Sequence, residues 1–206
     1  MKHAQKPLSY NQPIWFKYIS NRGSATTMNI ETLIDEVIDR EGGYTNHHAD
    51  RGGGRCWGIT EAVARADGYT GAMRLLPRAR AVAIYCRLYW QAPGLDRIAT
   101  RARGIAAELF DTGINMGPAV AATFLQRALN ALNRGASDYP DLRPDGRLGP
   151  ATLGALDAFL ARRGAGAETV LVKAVEALQG ERYLALAEAR PANEAFLYGW
   201  LANRLG

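Results

Sequence analysis

Cysteine is nearly missing from this chain, with two among 206 residues. Two cysteines cannot make a disulfide framework, and no CxxC pair offers zinc spacing, so stability has to come from a packed core. No apolar run reaches the roughly 18 to 20 residues of a membrane span, because Arg, Glu or Gly interrupts every Ala-rich stretch. β-branched residues never alternate over a sustained stretch, which leaves room only for a small sheet. Histidine is scarce as well: His3, His47 and His48. Adjacent side chains in extended backbone point to opposite faces, so His47 and His48 do not make a metal site, and neither metal nor cofactor is expected. Gly52-Gly53-Gly54 follows no strand and precedes no Gly-Lys-Ser/Thr, which excludes a phosphate loop.

Charge is present but unevenly placed. The formal net charge is +5 with a pI near 9.4, yet the first 28 residues hold Lys2, Lys6, Lys17 and Arg22 without a single acid. The rest of the chain has no Lys/Arg stripe and no nucleic-acid motif, so no nucleic-acid partner is expected. Basicity of this kind also suits approach to an anionic polymer. Residues 1–28 mix Pro7, Pro13, Gln, Asn and Ser with an aromatic knot at Trp15 and Phe16 that Lys17 interrupts. They read as a disordered extension rather than a secretory signal, with Met28 as the functional beginning; an envelope-contacting segment is the other reading.

From Asn29 onward the signals are helical. Asn29 can cap a helix with Leu33, Ile34, Val37 and Ile38 on one face, stopped by Gly42-Gly43. Further helices are expected over 60–65, 78–90, 104–115, 118–132, 149–162, 168–189 and 193–205. Any strand belongs in the glycine-rich stretch between Tyr44 and Ile59. The fold class is mostly α, with at most a small β-hairpin in that stretch.

Ile34, Val37 and Glu41 are related as i, i+3 and i+7, which places Glu41 at the end of the apolar face. Desolvation there raises a carboxyl pKa and keeps a proton available for a leaving group. A second carboxylate, Asp50, follows nine residues later among glycines and beside Arg51, where it stays ionised. One protonated and one ionised carboxyl are what cleavage of a glycosidic bond requires. Each also has a plain reading: Glu41 as a solvated helix end, and Asp50 as the organiser of an Asx-turn.

The run EGGYTNHHADRGGGRCWGIT, residues 41–60, resembles the signature of glycoside hydrolase family 108 lysozymes, and the Glu41 to Asp50 spacing is similar to that of phage-type lysozymes. Downstream, Asp111-Thr112-Gly113-Ile114-Asn115-Met116-Gly117-Pro118, Leu125-Gln126, Asp145-Gly146-Arg147-Leu148-Gly149-Pro150-Ala151-Thr152 and Gly199-Trp200-Leu201-Ala202-Asn203-Arg204 resemble the peptidoglycan-binding second half of that family. The resemblance implies a lysozyme-like helical fold, with a catalytic region over 29–106 and a peptidoglycan-binding region over 107–206 sharing its core. It makes Glu41 the catalytic acid and Asp50 the second carboxylate. Tyr44, Gly53, Arg55, Trp57, Thr60, Asp111 and Asn115 are the candidate substrate contacts.

The chain departs from the pattern at Arg55 and Cys56. The position of the water-holding threonine falls on Cys56, and a thiol is a weak donor and a weak acceptor. Thr60, Tyr44 or Arg55 could supply the polar group instead. Cys56 and Cys86 could pair in an oxidising compartment, although two reduced thiols suit a chain made without a signal. The implied activity is that of an endolysin-type N-acetylmuramidase acting on bacterial peptidoglycan glycan strands. It would be a monomer without membrane insertion, held in the cytoplasm until release. A lytic transglycosylase using Glu41 alone, or a non-catalytic wall-binding module, are the alternatives.

Overall fold

The amphipathic stripes become helices close to where the sequence marks them. The computed structural model describes residues 30–45 and 54–205, apart from the side chains of Glu41 and Asn203. The expected extension over 1–28 and the positions His47, His48, Asp50 and Gly53 lie outside the described residues.

Helix α1 runs Ile30–Glu41 and buries Leu33, Ile34, Val37 and Ile38 to 1% exposure or less. Each such side chain contributes about 1.5–3 kcal/mol of burial. A three-stranded antiparallel sheet follows, made of β1 (Tyr44–Thr45), β2 (Arg55–Cys56) and β3 (Ile59–Thr60). Its registers are Tyr44↔Cys56, Thr45↔Arg55, Arg55↔Thr60 and Cys56↔Ile59. Helix α2 (Glu61–Ala66) then leads through a 3₁₀ turn at Met73–Leu75 to α3 (Arg78–Tyr85), which continues as a π-helical segment, Cys86–Gln91. The expectation of one regular helix over 78–90 thus meets a change of pitch at Cys86. A short helix, α4 (Leu95–Ala99), escapes a periodicity reading because five residues are too few to show a stripe.

Helix α5 (Arg103–Met116) is the centre of the molecule, and every residue from Gly104 to Gly113 is buried. Around it stand α6 (Pro118–Ala131), α7 (Pro150–Arg163), the long α8 (Ala167–Ala189) and α9 (Glu194–Arg204). One hydrophobic cluster runs from Leu33 on α1 through Phe110 on α5 to Val175 on α8. The fold is mostly helical with one small sheet, as the composition and patterning indicate. Among the described residues no helix is long and apolar enough to cross a membrane.

Candidate active site

Glu41 is the last residue of α1. Gly42 follows at φ +73°, and its N–H donates to the Ile38 carbonyl at 3.0 Å. A left-handed residue closing a helix in this way is glycine territory, since a Cβ would be strained there. The chain turns at once into β1, whose partner β2 is the far end of the segment that carries Asp50. The strand pairing therefore brings both ends of that segment back beside the helix end that bears Glu41.

Arg40, the neighbour of Glu41, is tied into the body of the protein. Its Nη2 donates to Asp111 Oδ1 on α5 at 2.7 Å, and Arg204 Nη1 on α9 donates to the same oxygen at 3.4 Å. Asn115 Nδ2 donates to the Asp111 carbonyl at 2.9 Å and to Asp111 Oδ2 at 3.4 Å. Asp111 is buried, so its carboxylate is spent on two guanidinium groups and an amide, while Asn115 is exposed one turn further on.

Behind Asp111 lies Glu108, fully enclosed, with its carboxylate accepting from the Thr112 hydroxyl at 3.2 Å. Burial, reinforced by the negative charges of Asp111 and Glu176, pushes its pKa well above the usual glutamate value; the Thr112 bond and the charge of Arg40 act the other way. The sequence reading missed this carboxyl, although an acid on the most apolar helix was the available signal. It also missed the stack that flanks the network. Tyr183 lies 5.3 Å from the Trp200 ring, and Trp200 lies 6.1 Å from Phe196, so exposure grows outward from a buried tyrosine to an exposed phenylalanine.

The remaining candidates are placed as follows. Tyr44 is exposed and lays its ring against Gly54, where a Cβ would approach Tyr44 Cε2 and Oη to 3.1 Å. Arg55 is half-buried on the central strand, opposite Thr45 and Thr60. Trp57 sits at φ +55°, donates Nε1–H to the Leu76 carbonyl at 2.8 Å, and accepts from the Tyr85 hydroxyl through its own carbonyl at 3.0 Å. Its ring edge is thus committed to the core. Thr60 caps α2, with its hydroxyl accepting from the Val63 N–H at 3.3 Å.

Cys56 is 2% exposed, and burial raises its thiol pKa; both Cys56 and Cys86 are free thiols. A side chain turned into the core cannot hold a water in a cleft. Among the described residues no cluster of His, Cys, Asp or Glu is arranged to hold a metal.

Residues 34–117 match the family described as glycosyl hydrolase 108, and residues 120–205 match a family described as a predicted peptidoglycan domain. Comparison with curated proteins gave no match. Among solved structures the chain is similar to SagA of Brucella abortus, with a TM-score of 0.59 and 24% identity over 83% of this chain and 86% of that one, which is a likeness of fold. With both matched regions packed on α5, the chain carries a glycosyl hydrolase 108 region over residues 34–117 followed by a peptidoglycan domain over residues 120–205, and the two matches together support a peptidoglycan-acting glycosidase.

Proposed function

We propose that the protein is an N-acetylmuramidase of the endolysin type, cleaving the β-1,4 bond between N-acetylmuramic acid and N-acetylglucosamine. Glu41 is the general acid, and Asp50 is the carboxylate that activates water or steadies the oxocarbenium-like centre. The observation that supports this most is the turn at Gly42. It ends α1 at Glu41 and passes directly into the strand pair that returns both ends of the Asp50 segment to the same place.

Tyr44 and Arg55 flank the site from the sheet, and Gly53 lets the sugar chain approach the backbone. Asn115 offers its amide oxygen at the rim, its Nδ2 being held by Asp111. Asp111 serves as a positioning residue, because it holds Arg40 and thereby the end of α1. Trp57 and Thr60 shape the sheet from beneath through their bonds to Leu76 and Val63. The enzyme works as a monomer that meets its polymer after release from the cytoplasm.

Glu41→Gln tests this reading, since it replaces the proton donor with a near-isosteric amide. Lysis of permeabilised cells should fall at least about a thousandfold, roughly 4 kcal/mol of barrier, while the thermal transition stays in place. Retained lysis removes the assignment. Asp50→Asn should leave more residual activity.

The buried Cys56 thiol supports one competing mechanism, a lytic transglycosylase that needs no held water. Mass spectrometry of the products distinguishes them, since hydrolysis leaves reducing ends and transglycosylation leaves anhydro-muramyl ends.

A further inference from the structure

The segment Asp145–Thr152 is a built element, not a slack connection. Gln126 of α6, 2% exposed, reaches into it: its Nε2 donates to Asp145 Oδ1 at 2.8 Å, to the Arg147 carbonyl at 3.0 Å and to Thr152 Oγ1 at 3.0 Å, and its Oε1 accepts from Gly146 N–H at 3.0 Å. Arg147 N–H donates to Asp145 Oδ1 at 2.9 Å, and the Thr152 hydroxyl donates to the Arg147 carbonyl at 3.2 Å. Gly146 takes φ +72° and presses on the first turn of α6, where a Cβ would come within 2.9 Å of the Ala119 carbonyl oxygen. From the opposite side Arg97 Nη2 donates to the Leu148 carbonyl at 3.0 Å.

These bonds fix one wall of a groove of about 480 Å³ that includes none of the residues placed around Glu41. Its apolar surface comes from Leu88, Pro93, Pro118 and Leu148, and its cations are Arg97 and Arg147. The Arg147 guanidinium is exposed and makes no hydrogen bond or ion pair among the described residues. The Asp145 carboxylate is taken up by Gln126 and the Arg147 N–H, and the Arg147 charge adds to these in lowering its pKa. Leu88, Pro93 and Arg97 belong to the hydrolase match, and Arg147 and Leu148 to the peptidoglycan match. The groove is therefore made jointly by both.

We propose that this groove binds the peptide stem of peptidoglycan, a short peptide of L and D residues with alanine methyls and free carboxylates. The proposal rests on peptidoglycan being the substrate. Charge decides between the two components of that polymer: two guanidinium groups beside an apolar floor suit methyls and carboxylates, whereas a largely neutral amino-sugar chain gains little from them. Arg147 is the carboxylate contact on the wall that Gln126 holds rigid. Arg97 keeps the opposite wall in register and adds the second charge.

The test is calorimetric titration of the full chain with the free tetrapeptide stem, the same stem with its carboxyls amidated, and a peptide-free amino-sugar oligomer. The free stem should bind the wild-type protein. Arg147→Gln should weaken that binding about tenfold without moving the thermal transition, amidation should do the same, and neither should affect the oligomer. On intact sacculi Arg147→Gln should raise KM and leave kcat unchanged, and on glycan stripped of peptide it should act like wild type. Equal binding of free and amidated stems, or equal loss on stripped glycan, overturns the proposal. Sacculi that are cut by a protein that does not bind the stem overturn it while leaving the proposed activity standing. Stem binding with no cleavage of any glycan supports it and counts against the muramidase reading instead.

Discussion

Two of the buried polar networks among the described residues differ in charge. One is ionic: Glu108 and Asp111 on α5 meet Glu176 on α8, Arg40 at the end of α1 and Arg204 on α9. The other centres on a neutral amide, Gln126, whose bonds hold the Asp145–Thr152 segment. The neutral network fixes one local shape and has no buried charge to titrate. The ionic one joins four helices, α1, α5, α8 and α9, and contains a carboxyl whose protonation depends on pH. Local shape and long-range coupling are thus assigned to different chemistries.

Gln126→Leu should break the contrast most severely. It leaves the Gly146 N–H, the Arg147 carbonyl, the Thr152 hydroxyl and the Asp145 carboxylate without their shared partner, at a cost of about 3–4 kcal/mol. Urea denaturation should show the loss, and it should be smaller at acidic than at neutral pH, because the Gln126 amide helps hold the Asp145 carboxyl below its usual pKa and that contribution fades as Asp145 takes up its proton. Asp111→Ala should cost less, about 2–3 kcal/mol, because the guanidinium groups it abandons are partly exposed and keep some hydration. Its signature is functional as well: the end of α1 loses its tie, so lysis should fall by more than the stability loss explains. A variant that lyses normally after correction for folded fraction would separate Asp111 from the site.

Glu108→Gln should have the smallest effect, visible only as a change of slope. The folded chain holds the Glu108 proton more tightly than the unfolded chain does, so the contribution of this carboxyl is whole below the ordinary glutamate value of 4.5 and is lost as pH rises through the raised folded value. An amide cannot ionise, and its oxygen can still accept from Thr112. Plotted against pH, the stability of the variant should lack the decline that Glu108 gives the wild type above pH 4.5. An unchanged slope would show that the Glu108 proton does not matter.

The sequence made the helices legible because their apolar stripes are long. Gly42, Gly117 and Pro118 marked real helix boundaries, since backbone conformation at those positions depends on residue type. What stayed hidden is partnership across distance. Asp111 reads as a polar residue beside a cleft, yet Arg40 and Arg204 lie 71 and 93 residues away along the chain. Nothing in local patterning could pair them. Thr60 reads as the first residue of a helix and as a candidate substrate contact, and the structure instead makes it the cap, with its hydroxyl given to Val63. The change of pitch at Cys86 had no visible signal, because π-helical and α-helical stretches draw on the same residues.

Helix α5 closes the region matched to the hydrolase family, yet ten consecutive residues of it, Gly104 to Gly113, are shielded from water. A helix shielded all round behaves like an axle, which has no shape of its own once the wheel is removed. Severing the chain after Gly117 would strip α6 and α8 from α5 and leave Asp111 without Arg204. The region matched to the hydrolase family and the region matched to the peptidoglycan domain therefore share one core, and shuffling them as independent cassettes would have to begin by giving that axle a new surface.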